Sequence, residues 1–370
     1  MKVIISGGGT GGHIFPAIAI ANCIKKRYAD SEILFVGAEG KMEMQKVPQA
    51  GYKIIGLKIA GFQRKKLWKN ISLPFKMLAS SMKATRIIKD FQPDVAIGVG
   101  GYASWATLKQ AAKLGVPTLL QEQNSFAGKT NKELSKKAKA ICTAYDNMDR
   151  FFSKEKIVKT GNPIRKNISS LQENISLLQE TAIKKYSLEK GKKTILIIGG
   201  SLGARTINNS IEKNLDFFIE NDIQLLWQTG KFYYNDIVER VKDKIAKTNN
   251  IHIHEFIFDM DHAYSVADII ISRAGALSIS ELCCVGKPVI LVPSPNVAED
   301  HQTKNAMALV EKDAAIMVKD MEMSEKIVPV LENLLADTTK QESLGKNILA
   351  MGITDADERI VDQIEKICKR

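Results

Sequence analysis

A chain of 370 residues, 45% hydrophobic and 25% charged, is too long for one ordinary core and suits two globular domains of about 150–200 residues. It holds no apolar run long enough to span a membrane, opens on a strand and a glycine loop rather than a signal peptide, and spaces its five cysteines as buried, reduced thiols of a cytoplasmic protein. Its net charge of +12 is uneven: residues 1–165 carry 28 basic and 11 acidic residues (+17), residues 166–370 carry 25 and 30 (−5), which points the first half at a polyanion, either nucleic acid or an anionic membrane.

The first element is a buried strand over 3–6, running into Gly7-Gly8-Gly9-Thr10-Gly11-Gly12-His13 and then a helix over 14–28. Glycines at a strand-to-helix turn let the backbone approach a ligand, and the helix amides then face an anion. Gly7, Gly9 and Gly12 satisfy the weak dinucleotide pattern G-x-G-x-x-G, but His13 behind the last glycine is foreign to it. A histidine there is either a surface residue or a proton-transfer group.

A strand over 33–36 follows, and then an interval without an acidic residue, 44–89, with eleven Lys and Arg and interleaved Phe62, Leu67, Trp68, Ile71, Leu73, Phe75, Leu78 and Met82. Such a stretch is either a membrane-facing surface, in which apolar groups dip among headgroups held by cations, or a core face with a solvated basic side. Strands over 95–98 and 116–120 flank a second glycine loop, Gly98-Val99-Gly100-Gly101-Tyr102, and a helix over 103–114.

Gly161-Asn162-Pro163 and the strandless stretch 168–191 mark a domain boundary. Strands resume over 194–198, 224–228, 251–256, 269–272 and 288–292, with helices over 206–220, 237–247 and 276–284 between them. The third glycine loop, Gly199-Gly200-Ser201-Leu202-Gly203-Ala204, closes the first of these strands, and no loop ends as a Walker A motif does. The alternation predicts an α/β protein of two doubly wound, Rossmann-like domains whose glycine loops face a central cleft.

Several motifs, in order and spacing, resemble the MurG family of bacterial cell-wall glycosyltransferases over nearly the full length. They are Gly8-Gly9-Thr10-Gly11-Gly12-His13-Ile14-Phe15-Pro16, Gly100-Gly101-Tyr102-Ala103-Ser104, Glu122-Gln123-Asn124, Gly161-Asn162-Pro163-Ile164-Arg165, the loop 199–204, Ser272-Arg273-Ala274-Gly275-Ala276-Leu277-Ser278-Ile279-Ser280-Glu281 and Asp300-His301-Gln302-Thr303-Lys304-Asn305-Ala306. The resemblance implies the GT-B architecture, with an acceptor and membrane-facing domain over 1–163, a donor domain over 164–355 and a C-terminal helix over about 356–370 packing back on the first. It implies inverting transfer of N-acetylglucosamine from UDP-GlcNAc to the muramyl C4 hydroxyl of lipid I, giving lipid II, without cofactor or metal. The enzyme it implies is peripheral, on the cytoplasmic face of the inner membrane, meeting anionic phospholipid and other proteins of cell-wall synthesis but no nucleic acid.

By the same resemblance Arg165 and Ser201 meet the donor diphosphate, Glu281 the ribose hydroxyls, the backbone of Ile257 the uracil, and Asn124, His301 and Gln302 the sugar, beside the loop residues Thr10, Gly11, Gly12 and His13. Gly100, Gly101, Tyr102 and Ser104 become acceptor candidates, and Arg64, Lys65, Lys66, Trp68, Lys69 and Phe75 membrane candidates. An attacking hydroxyl must lose a proton, so His13 is the candidate base, or else only a hydrogen-bonding group, with Glu122 as a second candidate; a helix N-terminus favours the neutral ring. Two positions depart from the family: Trp105-Ala106 replaces Gly-Pro beside the second loop, and His301 stands where some relatives carry glutamine. Competing readings are an NAD-type oxidoreductase with Glu39 on the ribose, another GT-B enzyme such as a UDP-GlcNAc 2-epimerase or a lipid glycosyltransferase, and an RNA-binding protein, for which stacking aromatics are sparse.

Overall fold

The computed structural model describes residues 1–59 and 73–368, apart from the side chains of Leu73, Pro74, Phe75 and Ala298. The chain divides into two compact units, residues 1–164 with 355–370, and residues 165–354.

The first unit is built on a parallel sheet of seven strands: β1 (Lys2–Ser6), β2 (Glu32–Ala38), β3 (Lys53–Leu57), β4 (Val95–Gly98), β5 (Thr118–Glu122), β6 (Ala140–Thr143) and β7 (Ile157–Lys159), in the order β3-β2-β1-β4-β5-β6-β7. Val3, Ile4 and Ile5 of β1 and Val95, Ala96 and Ile97 of β4 are wholly buried, as helix-covered parallel strands require. The helix Gly11–Arg27 packs Ile14, Ile20 and Ile24 onto this sheet together with Ile360, Val361 and Ile364 of the C-terminal helix Ala356–Cys368. Arg27 ties the two helices further, donating to Glu365 at 2.8 Å and to Asp362.

The second unit repeats the plan with six parallel strands: β8 (Thr194–Ile198), β9 (Gln224–Gln228), β10 (Ile251–His254), β11 (Ile269–Ser272), β12 (Val289–Leu291) and β13 (Ile316–Met317), in the order β10-β9-β8-β11-β12-β13. Its core centres on Trp227 and Phe218, both fully buried, and the Trp227 indole N–H donates to Asn208 Oδ1 at 3.1 Å.

Several elements differ from expectation for local reasons. The strand expected over 116–120 runs Thr118–Glu122, because Pro117 has no N–H and enters the ladder only through its carbonyl, which accepts from Ala96 at 3.0 Å. The helix expected over 206–220 is two, Arg205–Lys213 and Leu215–Glu220; they part at Asn214, whose side chain takes the Ser210 carbonyl at 2.7 Å. The strand expected to reach 256 stops at His254, with Phe256 turned outward beside Phe258. The strandless stretch 168–191 is largely helical over Leu171–Lys185, with a kink at Asn174.

Candidate active site

In both sheets the chain order reverses once, between β1 and β4 and between β8 and β11. Loops leaving the carboxyl ends of such neighbouring strands diverge and leave a crevice, the usual ligand position in open α/β sheets.

In the first unit the β1 loop carries Gly7–Gly12 and the β4 loop carries Gly100 and Gly101. The helix Gly11–Arg27 starts at Thr10, whose carbonyl accepts from the amides of His13 and Ile14 at 3.1 and 3.2 Å and whose side chain makes no cap. Thr10 and Gly9 are exposed; Gly11, Gly12 and His13 are half-buried. His13 lies against Gly100, where the backbone is left-handed (φ +100°) and a Cβ would stand 2.8 Å from the imidazole Cε1. The His13 Nδ1 meets Gln123 Oε1 at 3.0 Å. The first loop is held from below by Glu43, a buried carboxylate that accepts the Gly9 amide at 2.9 Å and the Ala38 amide at 3.0 Å and fills the space a side chain on Gly8 would need.

Glu122, the second candidate base, is committed to structure. Its buried carboxylate accepts from the Asn124 amide at 3.1 Å, the Gly128 amide at 3.1 Å and Asn131 Nδ2 at 2.9 Å, which folds the turn carrying Asn124. Asn124 itself is half-buried at that turn. Of the acceptor candidates, Gly101 pairs back to back with Gly8, and Tyr102 is exposed. Ser104 is wholly buried, its Oγ facing the α-carbon of Gly98 without a hydrogen-bond partner, so it lies beneath the loop rather than on it. The unexpected Trp105 packs toward the helix Lys129–Leu134, with the Lys109 ammonium 4.2 Å from its ring centroid and Glu133 bonded to Lys109 at 3.1 Å.

In the second unit the β8 loop presents an exposed Ser201, and Gly203 packs backbone to backbone against Gly230 after β9. Gln228 at the end of β9 bridges two loops, donating to the Gly200 carbonyl at 3.2 Å and accepting the Ile257 amide at 2.9 Å. Ile257 is therefore buried with its N–H already taken, so a base edge at this segment would read its carbonyl or displace Gln228. Arg165 and Glu281 form a fork-to-fork pair at 2.9 and 3.0 Å, and the buried Tyr264 hydroxyl donates to Glu281 at 3.3 Å. Burial alone would lower the Arg165 guanidinium pKa; the bonds to Glu281 outweigh it and raise it. Glu281 stands on the helix Ala276–Val285 that follows β11.

Gln302, in the first turn of the helix His301–Val310, accepts the Ser294 amide at 2.8 Å and so braces the loop after β12; His301 starts the same helix, half-buried. Residues Glu299 and Asp300 ahead of it hold left-handed φ values of +59° and +50°. Arg273, quoted in the motif 272–281 without a role, bonds the carbonyls of Val292 and Pro293 at 3.0 and 3.2 Å and pairs with Asp320, locking the ends of β11 and β12 together.

The membrane candidates Arg64, Lys65, Lys66, Trp68 and Lys69 lie outside the described residues, as does the side chain of Phe75. The helix Leu73–Phe91 buries Ala84, Ile87 and Ile88 and exposes Leu78, Met82, Lys76 and Arg86. Among the described residues no helix is long and apolar enough to cross a membrane. Burial pushes the Cys142 and Cys283 thiols up to about 12, which removes them as nucleophiles near neutral pH.

Residues 3–143 match the Glycosyltransferase family 28 N-terminal domain and residues 194–360 the Glycosyltransferase family 28 C-terminal domain. A UDP-N-acetylglucosamine–N-acetylmuramyl-(pentapeptide) pyrophosphoryl-undecaprenol N-acetylglucosamine transferase of Bacteroides thetaiotaomicron is 55% identical over 370 residues, covering 100% of this chain and 98% of the relative. The chain belongs to glycosyltransferase family 28. A relative of the same name from Cytophaga hutchinsonii is 57% identical over 366 residues, covering 99% of this chain and 96% of its own length. Among solved structures, Acinetobacter baumannii MurG superposes with a TM-score of 0.78 at 28% identity, covering 99% of both chains. A Neisseria meningitidis UDP-GlcNAc 2-epimerase shares the fold alone, with a TM-score of 0.68 at 16% identity over 99% of this chain and 100% of the epimerase. Membership of the family removes the oxidoreductase and RNA-binding readings, and Glu39, the proposed ribose partner of a dinucleotide, is ion-paired with Lys83 at 3.3 Å.

Proposed function

We infer that this chain transfers N-acetylglucosamine from UDP-N-acetylglucosamine to the muramyl C4 hydroxyl of undecaprenyl-diphospho-N-acetylmuramyl-pentapeptide, with inversion at the sugar. The observation that carries the reading is the 55% identity, along the whole chain, to a transferase named for these substrates. The epimerases resemble the chain in fold only, at 16% identity.

On this reading the second unit holds the donor. The Ser201 loop offers backbone amides and a hydroxyl to the diphosphate. Each carboxylate oxygen keeps acceptor capacity beyond its bond to Arg165, so Glu281 takes the ribose hydroxyls while Arg165 orients it and meets the diphosphate with its remaining N–H groups. Ile257 faces the uracil, and Asn124, His301 and Gln302 serve the sugar. The first unit holds the acceptor beside Gly100, Gly101 and Tyr102, with Thr10, Gly11 and Gly12 at the helix start. His13 accepts the proton of the C4 hydroxyl as the oxygen attacks the anomeric carbon and UDP departs with the bonding electrons.

The exposed Leu78 and Met82 with their basic neighbours, together with the acid-free interval 44–89, support docking on anionic phospholipid at the cytoplasmic face of the inner membrane, where the lipid-borne acceptor and other proteins of cell-wall synthesis are met. The test is to incubate the protein with radiolabelled UDP-GlcNAc and a lipid I analogue. Label recovered in a lipid-linked disaccharide supports the reading; label recovered as UDP-N-acetylmannosamine, or unreacted donor, overturns it.

A further inference from the structure

Three buried side-chain amides, Asn162, Gln121 and Gln123, run in a line that ends on the His13 ring, and each is essentially inaccessible to solvent. Asn162 Nδ2 donates to the Gln123 main-chain carbonyl at 3.0 Å, so Asn162 Oδ1 is the atom turned to Gln121, whose Nε2 donates to it at 2.8 Å. Gln121 Oε1 in turn accepts from Gln123 Nε2, which also donates to the Val99 main-chain carbonyl at 2.9 Å. Gln123 Oε1 is thereby left facing His13 Nδ1 at 3.0 Å.

The direction of this chain is fixed at both ends. A main-chain carbonyl can only accept, so turning Asn162 or Gln123 over would set oxygen against oxygen at the Gln123 or Val99 carbonyl, in a buried setting where an unmade hydrogen bond costs most. An amide oxygen cannot donate. The ring nitrogen against it must therefore carry the hydrogen, in the neutral ring as in the charged one. Gly100 confines the ring from another side, since a Cβ there would lie within 3.3 Å of Nε2 as well as 2.8 Å of Cε1.

We propose that the Asn162–Gln121–Gln123 amide chain holds His13 as its Nδ1–H tautomer, which makes Nε2 the nitrogen that takes a proton and Gln123 a positioning residue for it. This rests on His13 acting as the base. Free imidazole side chains favour neither role so strictly, and a wrongly protonated ring cannot accept at the nitrogen that faces the substrate. A neutral amide also orients the ring without adding the charge by which a carboxylate would stabilise imidazolium. When Nε2 takes the hydroxyl proton, Nδ1–H remains on Gln123 and no proton moves along the amides.

The test is nitrogen NMR of protein with 15N-labelled histidine, with His13 assigned by its loss in His13→Gln, alongside single-turnover kinetics of Gln123→Met and Gln123→Glu. The wild type should show His13 with a protonated Nδ1 and an unprotonated Nε2 at alkaline pH. Gln123→Met should release the tautomer and lower the rate by about 10-fold or more, toward the ~10⁴-fold that a wrong tautomer can cost, with UDP-GlcNAc affinity unchanged. Gln123→Glu should keep the tautomer and move the acid limb of the rate profile to higher pH. A wild-type ring protonated on Nε2, or a tautomer indifferent to Gln123→Met, overturns the proposal. A tautomer that shifts in Gln123→Met while the rate stays constant supports the hold on the ring and sinks the assignment of His13 as base.

Discussion

Arg165 and Glu281, 116 residues apart, hold each other through two hydrogen bonds of 2.9 and 3.0 Å, so the two charges act as one unit rather than as separate contacts. Glu281→Ala should weaken UDP-GlcNAc binding and leave the fold intact. Losing charge-assisted bonds of this kind typically costs about 1.5–3 kcal/mol. Arg165→Lys should weaken it too, because a point charge cannot engage both oxygens as a planar fork does. Calorimetric titration with UDP checks both; undiminished UDP affinity in Glu281→Ala would remove Glu281 from the ribose.

Gly100→Ala should leave the donor affinity unchanged and lower turnover by about 10²-fold, the scale of a catalytic group displaced by an ångström. The added methyl would meet the His13 ring at 2.8 Å, in a backbone conformation alanine disfavours. Steady-state kinetics with separately measured donor binding decides it.

Glu43→Ala should destabilise the first unit by about 1.5–3 kcal/mol, since the buried Ala38 amide and the part-buried Gly9 amide lose a charged acceptor. Glu43→Gln keeps one acceptor and should lose less. Urea unfolding followed at the 280 nm tyrosine and tryptophan bands checks this; a Glu43→Gln variant as stable as the wild type would show that the carboxylate only fills space.

Burial lowers the pKa of both His252 and His254 on β10 below the ordinary 6.5, with mutual repulsion adding to it at His254. Between the folded value and 6.5 the unfolded chain binds more protons, so stability rises with pH through that window and is lost as pH falls below 6.5. The buried His252 Nε2 has no hydrogen-bond partner. His252→Leu should therefore flatten the decline in urea midpoint between pH 7.5 and 5.5; an unchanged slope would show that other groups set it.

Vesicle binding should need anionic lipid and weaken with salt, because exposed cation–headgroup attraction is screened over about 8–10 Å. Replacing Arg64, Lys65, Lys66 and Lys69 with Gln should weaken the salt-sensitive part, and replacing the exposed Leu78 and Met82 with Gln the salt-insensitive part. Both variants should spare activity on a short-chain, water-soluble acceptor. Equal loss on both acceptors would make the interval scaffold.

The strands 194–198, 224–228 and 269–272 were legible to the residue, because long apolar runs buried on both faces carry their own signature. The strands β3, β6, β7 and β13 were not. They are two to five residues long, and Lys53 and Gly56 in β3 break the apolar run that would have marked it. The glycine loops announced themselves through residues that only tight backbone needs. Glu43 and Gln121 carried no local signal, and the motif that contains Arg273 gave it no role, since each becomes meaningful only when distant loops close: Glu43 reaches Gly9 across 34 residues and Arg273 reaches Asp320 across 47.

The central claim is tested most directly by one single-turnover measurement, with UDP-GlcNAc and a soluble lipid I analogue saturating, on wild type and His13→Ala. The wild type should form the lipid-linked disaccharide in one exponential phase. His13→Ala should bind UDP-GlcNAc equally and form the same product about 10²–10⁴-fold more slowly. A retained rate in His13→Ala, or a loss traced wholly to donor binding, would contradict the account.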